Sequence, residues 1–194
     1  MNQNRTADEA GRLRRMAAEG WIAGARQVLS PNCDNRPAGA AVCLLVLHAI
    51  SLPRGDYGGD AIERLFTNLL DPAAHPSFAD LAGLRVSCHF LVRRDGALIQ
   101  FVPLQSRAWH AGASRGRARA RCNDFSVGIE LEGSDDGPFE DAQYVQLANL
   151  ARSLVELLPI RQWAAHSDVA PERKTDPGAH FNWSRLLSDL ARAP

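Results

Sequence analysis

Seven consecutive apolar residues, Ala41-Val42-Cys43-Leu44-Leu45-Val46-Leu47, leave a strand with no polar face. Such a strand is stable only when both faces are covered, as in the middle of a sheet that carries helices on either side. The segment therefore commits the chain to a layered α/β architecture. It ends at His48, and the end of a central strand is where open α/β sheets present reactive groups. A histidine there can equally be a hydrogen-bonded structural residue, so its partners decide its role.

The rest of the chain supplies the covering layers. Ile62, Leu65, Phe66, Leu69 and Leu70 recur at helical spacing after Gly58-Gly59, which predicts one amphipathic helix that stops before Asp71-Pro72. Segments 86–90 and 97–102 flank Arg94-Asp95-Gly96, and Asp-Gly between β-type runs signals a hairpin. Phe125, Val127, Ile129 and Leu131 alternate with Ser126, Gly128, Glu130 and Glu132. That pattern predicts a strand with both carboxylates on one face and its apolar face in the core. Val145, Leu147, Leu150, Leu154 and Leu157 mark the longest helix, about 139–158, and Asn182 is a suitable N-cap for a last helix carrying Trp183, Leu186, Leu187 and Leu190. A thin apolar stripe over 7–19 reads as a short helix in a polar extension. The fold class is α/β: a single domain with a central mixed β-sheet flanked by helices.

Twenty-two basic residues balance twenty-two acidic ones, so no overall field draws in nucleic acid or an anionic membrane, and specificity must come from a local site. The alternating Arg115, Arg117, Arg119 and Arg121 then read as a solvated loop. No apolar run fits a signal peptide or a membrane span, and a cytoplasmic monomer is the expectation. Cys33, Cys43, Cys88 and Cys122 form no C-x-x-C pair and are expected to be free thiols.

Candidate chemistry gathers around a few residues. His48, His166 in Ala165-His166-Ser167-Asp168, and Asp176 in Arg173-Lys174-Thr175-Asp176-Pro177-Gly178 are ligand types that could hold zinc and leave a fourth position open. The ligand types fit, while a separation of 118 residues between the histidines proves nothing. Of the twenty-two basic residues, Lys174 is the only lysine. It precedes Asp176 by two, so in an extended loop both side chains point the same way. A fixed ammonium there suits amide hydrolysis, in which negative charge builds on the carbonyl oxygen. Glu130 and Glu132 share a strand face, and either could take a proton from an attacking water and hand it to the leaving amine.

Six blocks resemble one family in order: Leu47-His48, Arg85-Val86-Ser87-Cys88-His89, Ala108-Trp109-His110-Ala111-Gly112, Cys122-Asn123-Asp124-Phe125-Ser126, Gly128-Ile129-Glu130-Leu131-Glu132-Gly133 and Ala170-Pro171-Glu172-Arg173-Lys174-Thr175-Asp176-Pro177-Gly178. They are similar to the AmpD family, the cytoplasmic 1,6-anhydro-N-acetylmuramyl-L-alanine amidases of peptidoglycan recycling, over about 20–187. The resemblance implies the zinc amidase fold shared with peptidoglycan recognition proteins, with zinc held by His48, His166 and Asp176 and no organic cofactor. It favours Glu130 as general base and Lys174 as oxyanion stabiliser. It further implies an anhydromuropeptide substrate contacted by Arg85, Trp109, His110 and Arg121, because guanidinium groups suit the carboxylates of the peptide stem and an indole offers a flat face to a sugar. Residues 1–19 then form an extension and 20–194 the amidase domain. Where the family usually has Asn after the first zinc histidine, this chain has Ala49. A peptidoglycan-fragment sensor that keeps the fold without catalysis is the alternative; the complete set of ligand types, a base and a lysine argues for the enzyme.

Overall fold

The computed structural model describes residues 18–116 and 119–192. The helix expected over 7–19 lies outside them but for its last two residues. The described strands, in chain order, are β1 Arg26–Gln27, β2 Cys33–Asn35, β3 Leu44–Ile50, β4 Phe90–Val92, β5 Leu98–Gln100, β6 Ser106–Ala108, β7 Arg115–Gly116, β8 Arg119–Ala120, β9 Ser126–Glu132 and β10 Gln162–Ala165. Six form one mixed sheet in the order β1-β5-β4-β9-β3-β10, while β2 pairs with β6 and β7 with β8. The α/β single-domain expectation holds. In the sheet β3 is flanked by β9 and β10, both parallel to it, and β4–β5 is the antiparallel hairpin.

The apolar run lies in the sheet as expected, but the strand itself is displaced. β3 begins at Leu44 and continues to Ile50, because its ladder with β9 runs from Leu44↔Ser126 to Ile50↔Glu132. His48 therefore sits inside the strand and not at its end. The first hairpin strand moves similarly, from the expected 86–90 to Phe90–Val92. The turn is as read: Gly96 has φ of 85° and donates to the Arg93 carbonyl, and Asp95 accepts from the Ala97 amide. The helix expected over 62–70 ends at Phe66. Asn68 adopts a left-handed φ of 63°, which turns Leu69 into solvent. The long helix is Asp141–Leu157, opened by a Glu140–Gln143 capping box, and Asn182 caps Trp183–Ala191 by accepting from the Arg185 amide.

Period-two alternation sorts the sheet's faces. Leu45, Leu47, Val127, Ile129, Leu131 and Phe90 pack against Leu147, Leu150 and Leu154 of the long helix and Leu186 of the last. The opposite face carries two smaller apolar clusters. One holds Leu44, Val46, Phe125 and Val169; the other holds Leu91, Ile99 and Phe101 with Ile62, Leu65 and Phe66 of the short helix. Between them β3 and β9 present His48 opposite Glu130. All seven residues of β9 are buried, so even its carboxylate face is covered. The four cysteines are free.

His89 is part of this frame. Its Nδ1 accepts from the Gly128 amide at 3.0 Å and its Nε2 faces the Ser106 carbonyl at 3.2 Å. Burial, then the Arg36 charge, lowers its pKa to about 3. The folded state therefore refuses a proton that the unfolded chain accepts near the ordinary histidine value of 6.5, so this contribution to stability is complete above that pH and is lost as pH falls towards 3. Urea denaturation of wild type and His89→Gln should reveal it. The wild type's advantage at pH 7 should shrink by about 2 kcal/mol by pH 5, at about 1.4 kcal/mol per unit; a gap independent of pH would mean that His89 is not held neutral.

Candidate functional site

Parallel pairing explains how residues 118 apart in sequence meet. β10 runs beside β3 with Ala165 opposite Leu47, so the next residue, His166, stands beside His48. Asp168 accepts from the Ala165 amide at 2.8 Å and opens the short helix His166–Val169. The Ser167 amide then donates to the Asp176 carbonyl at 3.0 Å, closing the 167–176 loop and returning Asp176 to the histidines. Arg173 donates to the carbonyls of Ala111 and Ala113, which fastens this loop to the 111–113 turn.

The outcome is a compact donor set. His48 Nδ1 and His166 Nδ1 are 2.9 Å apart, His166 Nδ1 and Asp176 Oδ2 3.1 Å, and His48 Nδ1 and Asp176 Oδ2 3.4 Å. A tetrahedron with metal bonds of about 2.0–2.1 Å has edges of about 3.3–3.4 Å, so three corners of a zinc site fit these atoms closely. His48, His166 and Asp176 are a possible metal-binding group. Burial, partly opposed by Asp176, lowers the His48 pKa to about 4. Burial opposes ionisation of Asp176 too, but the adjoining His166 and His48 outweigh this and hold the carboxyl well below its usual range. A neutral imidazole and a carboxylate are the protonation states a cation needs.

Glu130 is 8% exposed, and its Oε2 has no hydrogen-bond partner. Burial, then the nearby Asp176 charge, pushes its pKa well above the usual value, while Lys174 works in the opposite direction. A carboxylate made more basic and left without a partner is equipped to take a proton. Glu132, two residues along, is committed elsewhere. It accepts from Arg93 Nη1 and the Gly58 amide, both at 2.7 Å, and from the Arg94 amide at 3.2 Å.

A cleft of about 260 Å³ opens over the group, with His48, Glu130, His166, Lys174 and Asp176 in its lining. A second, of about 340 Å³ and edged by Arg54, Ser134 and Asp135, shares Ala49, Ile50, Lys174 and Asp176 with the first. The two meet at Asp176, one of the candidate metal ligands.

The remaining expected contact residues sit differently from one another. Arg85 is exposed, between Leu84 and Val86 of the cleft lining. Arg121 is exposed, with φ of 62° and an ion pair to Asp124 at 3.3 Å. Trp109 is half-buried; its amide donates to Ser87 Oγ at 3.0 Å and its carbonyl accepts from the amide of Ser87, a residue of the cleft, at 3.2 Å. His110 is buried beneath His48, and both its ring nitrogens are engaged. Three supporting residues stand in the sequence only as members of the resembling blocks, with no role assigned: Asn123, whose Oδ1 accepts from the amides of His110 and Ala111; Ser126, beside the His110 ring; and Gly128, where a Cβ would lie 2.4 Å from His110 Cγ.

Against this geometry the chain matches the Amidase_2 family, N-acetylmuramoyl-L-alanine amidase, over residues 38–179. It is 54% identical over 170 residues to the 1,6-anhydro-N-acetylmuramyl-L-alanine amidase AmpD of Escherichia coli (strain K12), covering 87% of this chain and 93% of that one. A crystal structure of a selenomethionine AmpD derivative superposes with a TM-score of 0.87 at 53% identity, over 89% of this chain and 97% of the other. The E. coli amidase AmiD, in complex with its substrate anhydro-N-acetylmuramic acid-L-Ala-D-γ-Glu-L-Lys, aligns at 32% identity and a TM-score of 0.55, over 80% of this chain and 60% of that one.

Proposed function

The chain belongs to the N-acetylmuramoyl-L-alanine amidase family, and from that membership we propose that it cleaves the amide between the lactyl group of anhydro-N-acetylmuramic acid and L-Ala of the stem peptide, with zinc held by His48, His166 and Asp176, in cytoplasmic peptidoglycan recycling. The observation that carries the proposal is the convergence of two imidazole nitrogens and a carboxylate oxygen, spaced like corners of one tetrahedron, beside a buried, unpartnered Glu130.

Zinc bound there supplies a Lewis acid that acidifies water and polarises a carbonyl. The chain's own residues do the rest. Glu130 takes the proton of the attacking water; the water oxygen bonds to the amide carbon, whose carbonyl oxygen becomes an anion facing the Lys174 ammonium. Glu130 then returns the proton to the amide nitrogen, the C–N bond breaks, and the products are the lactyl carboxylic acid and the free amine of L-Ala, which the acid's remaining proton converts to a carboxylate and an ammonium. The low polarity of the cleft wall beneath, Leu65 and Phe66 among its residues, strengthens each of these charge interactions.

For substrate contact, Arg85, between two residues of the cleft lining, and the exposed Arg121 are assigned to carboxylates of the stem and Trp109 to the sugar face. The catalytic unit is 20–194, with 1–19 an extension, acting as a monomer. A net charge of zero supports a partner list without nucleic acid or membrane, and among the described residues no helix is long and apolar enough to cross a membrane.

Purified protein should contain one zinc per chain and release free stem peptide from anhydro-N-acetylmuramyl-L-Ala-D-γ-Glu-L-Lys faster than from the same peptide on ordinary N-acetylmuramic acid. Equal rates would remove the anhydro sugar from the assignment. Zinc well below one per chain in fully active protein would remove the metal.

A further inference from the structure

Behind His48, away from Asp176, runs a line of hydrogen bonds that the reaction does not use. The Ser126 hydroxyl donates to the Cys122 carbonyl at 2.6 Å. Ser126 Oγ lies 3.0 Å from His110 Nε2, and His110 Nδ1 lies 2.9 Å from His48 Nε2. A carbonyl can only accept, so the single hydroxyl proton of Ser126 is committed to Cys122. Ser126 Oγ must then accept, and His110 Nε2 must donate to it. The other nitrogen of a neutral His110 ring is left as an acceptor, and it takes the proton of His48 Nε2. His48 Nδ1, the atom beside His166 and Asp176, is thereby left with a lone pair and no proton. The direction of the whole chain follows from one carbonyl.

The backbone is arranged to keep His110 in that position. Asn123 Oδ1 accepts from the amides of His110 at 3.3 Å and Ala111 at 2.8 Å. The ring lies over Gly128 of β9 so closely that a Cβ there would sit 2.4 Å from His110 Cγ and 2.6 Å from its Nδ1. Gly128 is thus the space that admits the imidazole.

We propose that His110, set by Ser126 and the Cys122 carbonyl, is a positioning residue that selects the Nε2-protonated tautomer of His48 and aims its Nδ1 at the metal. The inference rests on the zinc reading above, and it gives His110 a role behind the metal centre in place of one against the substrate. Outer hydrogen-bond partners of metal-binding histidines fix tautomer and ring orientation.

Zinc affinity, measured by chelator competition, tests it without reference to turnover. His110→Phe keeps a ring but offers no acceptor, and its zinc dissociation constant should rise by about 10- to 100-fold. His110→Asn should recover most of that loss, because the amide oxygen stands where Nδ1 stood. Ser126→Ala, which removes the hydroxyl with little change of volume, should weaken zinc in the same direction by a smaller factor. Long-range 1H–15N correlation of metal-free wild type should show His48 protonated at Nε2, and His110→Phe should show a mixture of tautomers. Unchanged zinc affinity in His110→Phe beside a tight-binding wild type would overturn the positioning role and leave the metal site standing. A folded wild type that binds no zinc would overturn the site itself.

Discussion

Glu130→Gln is expected to lower kcat by about 10²- to 10⁴-fold, the range for losing a general base, with zinc content unchanged. The amide keeps the shape of the carboxyl but cannot accept the proton. Its melting temperature should equal or exceed that of wild type, because the substitution removes a buried carboxyl with an unpartnered Oε2 that the fold holds at a cost. Glu132→Gln should do the reverse. Its carboxylate binds Arg93 Nη1 and two backbone amides, and weakening those bonds should cost about 1–3 kcal/mol, or about 2–4 °C for each kcal/mol in a domain of this size. Arg93 would retain Glu63 and the Gly59 carbonyl, which limits the damage, and kcat should stay near wild type. Kinetics and melting curves on the two variants therefore separate chemistry from scaffold. An active Glu130→Gln would remove that residue from the mechanism, and a dead Glu132→Gln with normal zinc and stability would transfer the role.

That pair also marks how far the residue pattern reaches. Alternation along 125–132 put both glutamates on one face, and the face was right. What distinguishes them is tertiary: β9 lies against β3, so Glu130 comes opposite His48, while Glu132 reaches Arg93 from the turn after β4. The apolar run foretold a central strand, yet its limits moved because the ladder with β9, and not hydropathy, decides where pairing begins. Spacing made His166 and Asp176 legible only as ligand types; the family resemblance joined them to His48, and the β3–β10 register and the Ser167–Asp176 hydrogen bond are what bring them there. Asn123, Ser126 and Gly128 look in sequence like ordinary loop and strand residues. Their work depends on the buried His110 ring, whose position no local spacing encodes. Asn68 ended its helix early for a related reason: a left-handed residue leaves no trace in apolar periodicity.

Lys174→Ala should lower kcat by about 10²-fold or more, the scale for losing one donor to a developing oxyanion, with KM changed far less because the full negative charge exists only in the transition state. The position supports this size of effect. Lys174 is half-buried, lines both clefts where they meet at Asp176, and is near enough to the reacting groups to oppose the upward shift of Glu130. Its backbone amide donates to the Ala170 carbonyl at 3.1 Å, so the loop presents the side chain from a fixed turn. Because its ammonium is not a ligand of the proposed metal, zinc content and melting temperature should match wild type. Lys174→Arg should restore little: the charge returns, but a planar fork built for bidentate partners cannot place one compact donor at the same point. Single-turnover rates on an anhydromuropeptide, with zinc measured on the same samples, decide the matter. Near-normal turnover in Lys174→Ala would make the chain's one lysine a bystander, and a parallel loss of zinc would make it a structural support for the metal loop.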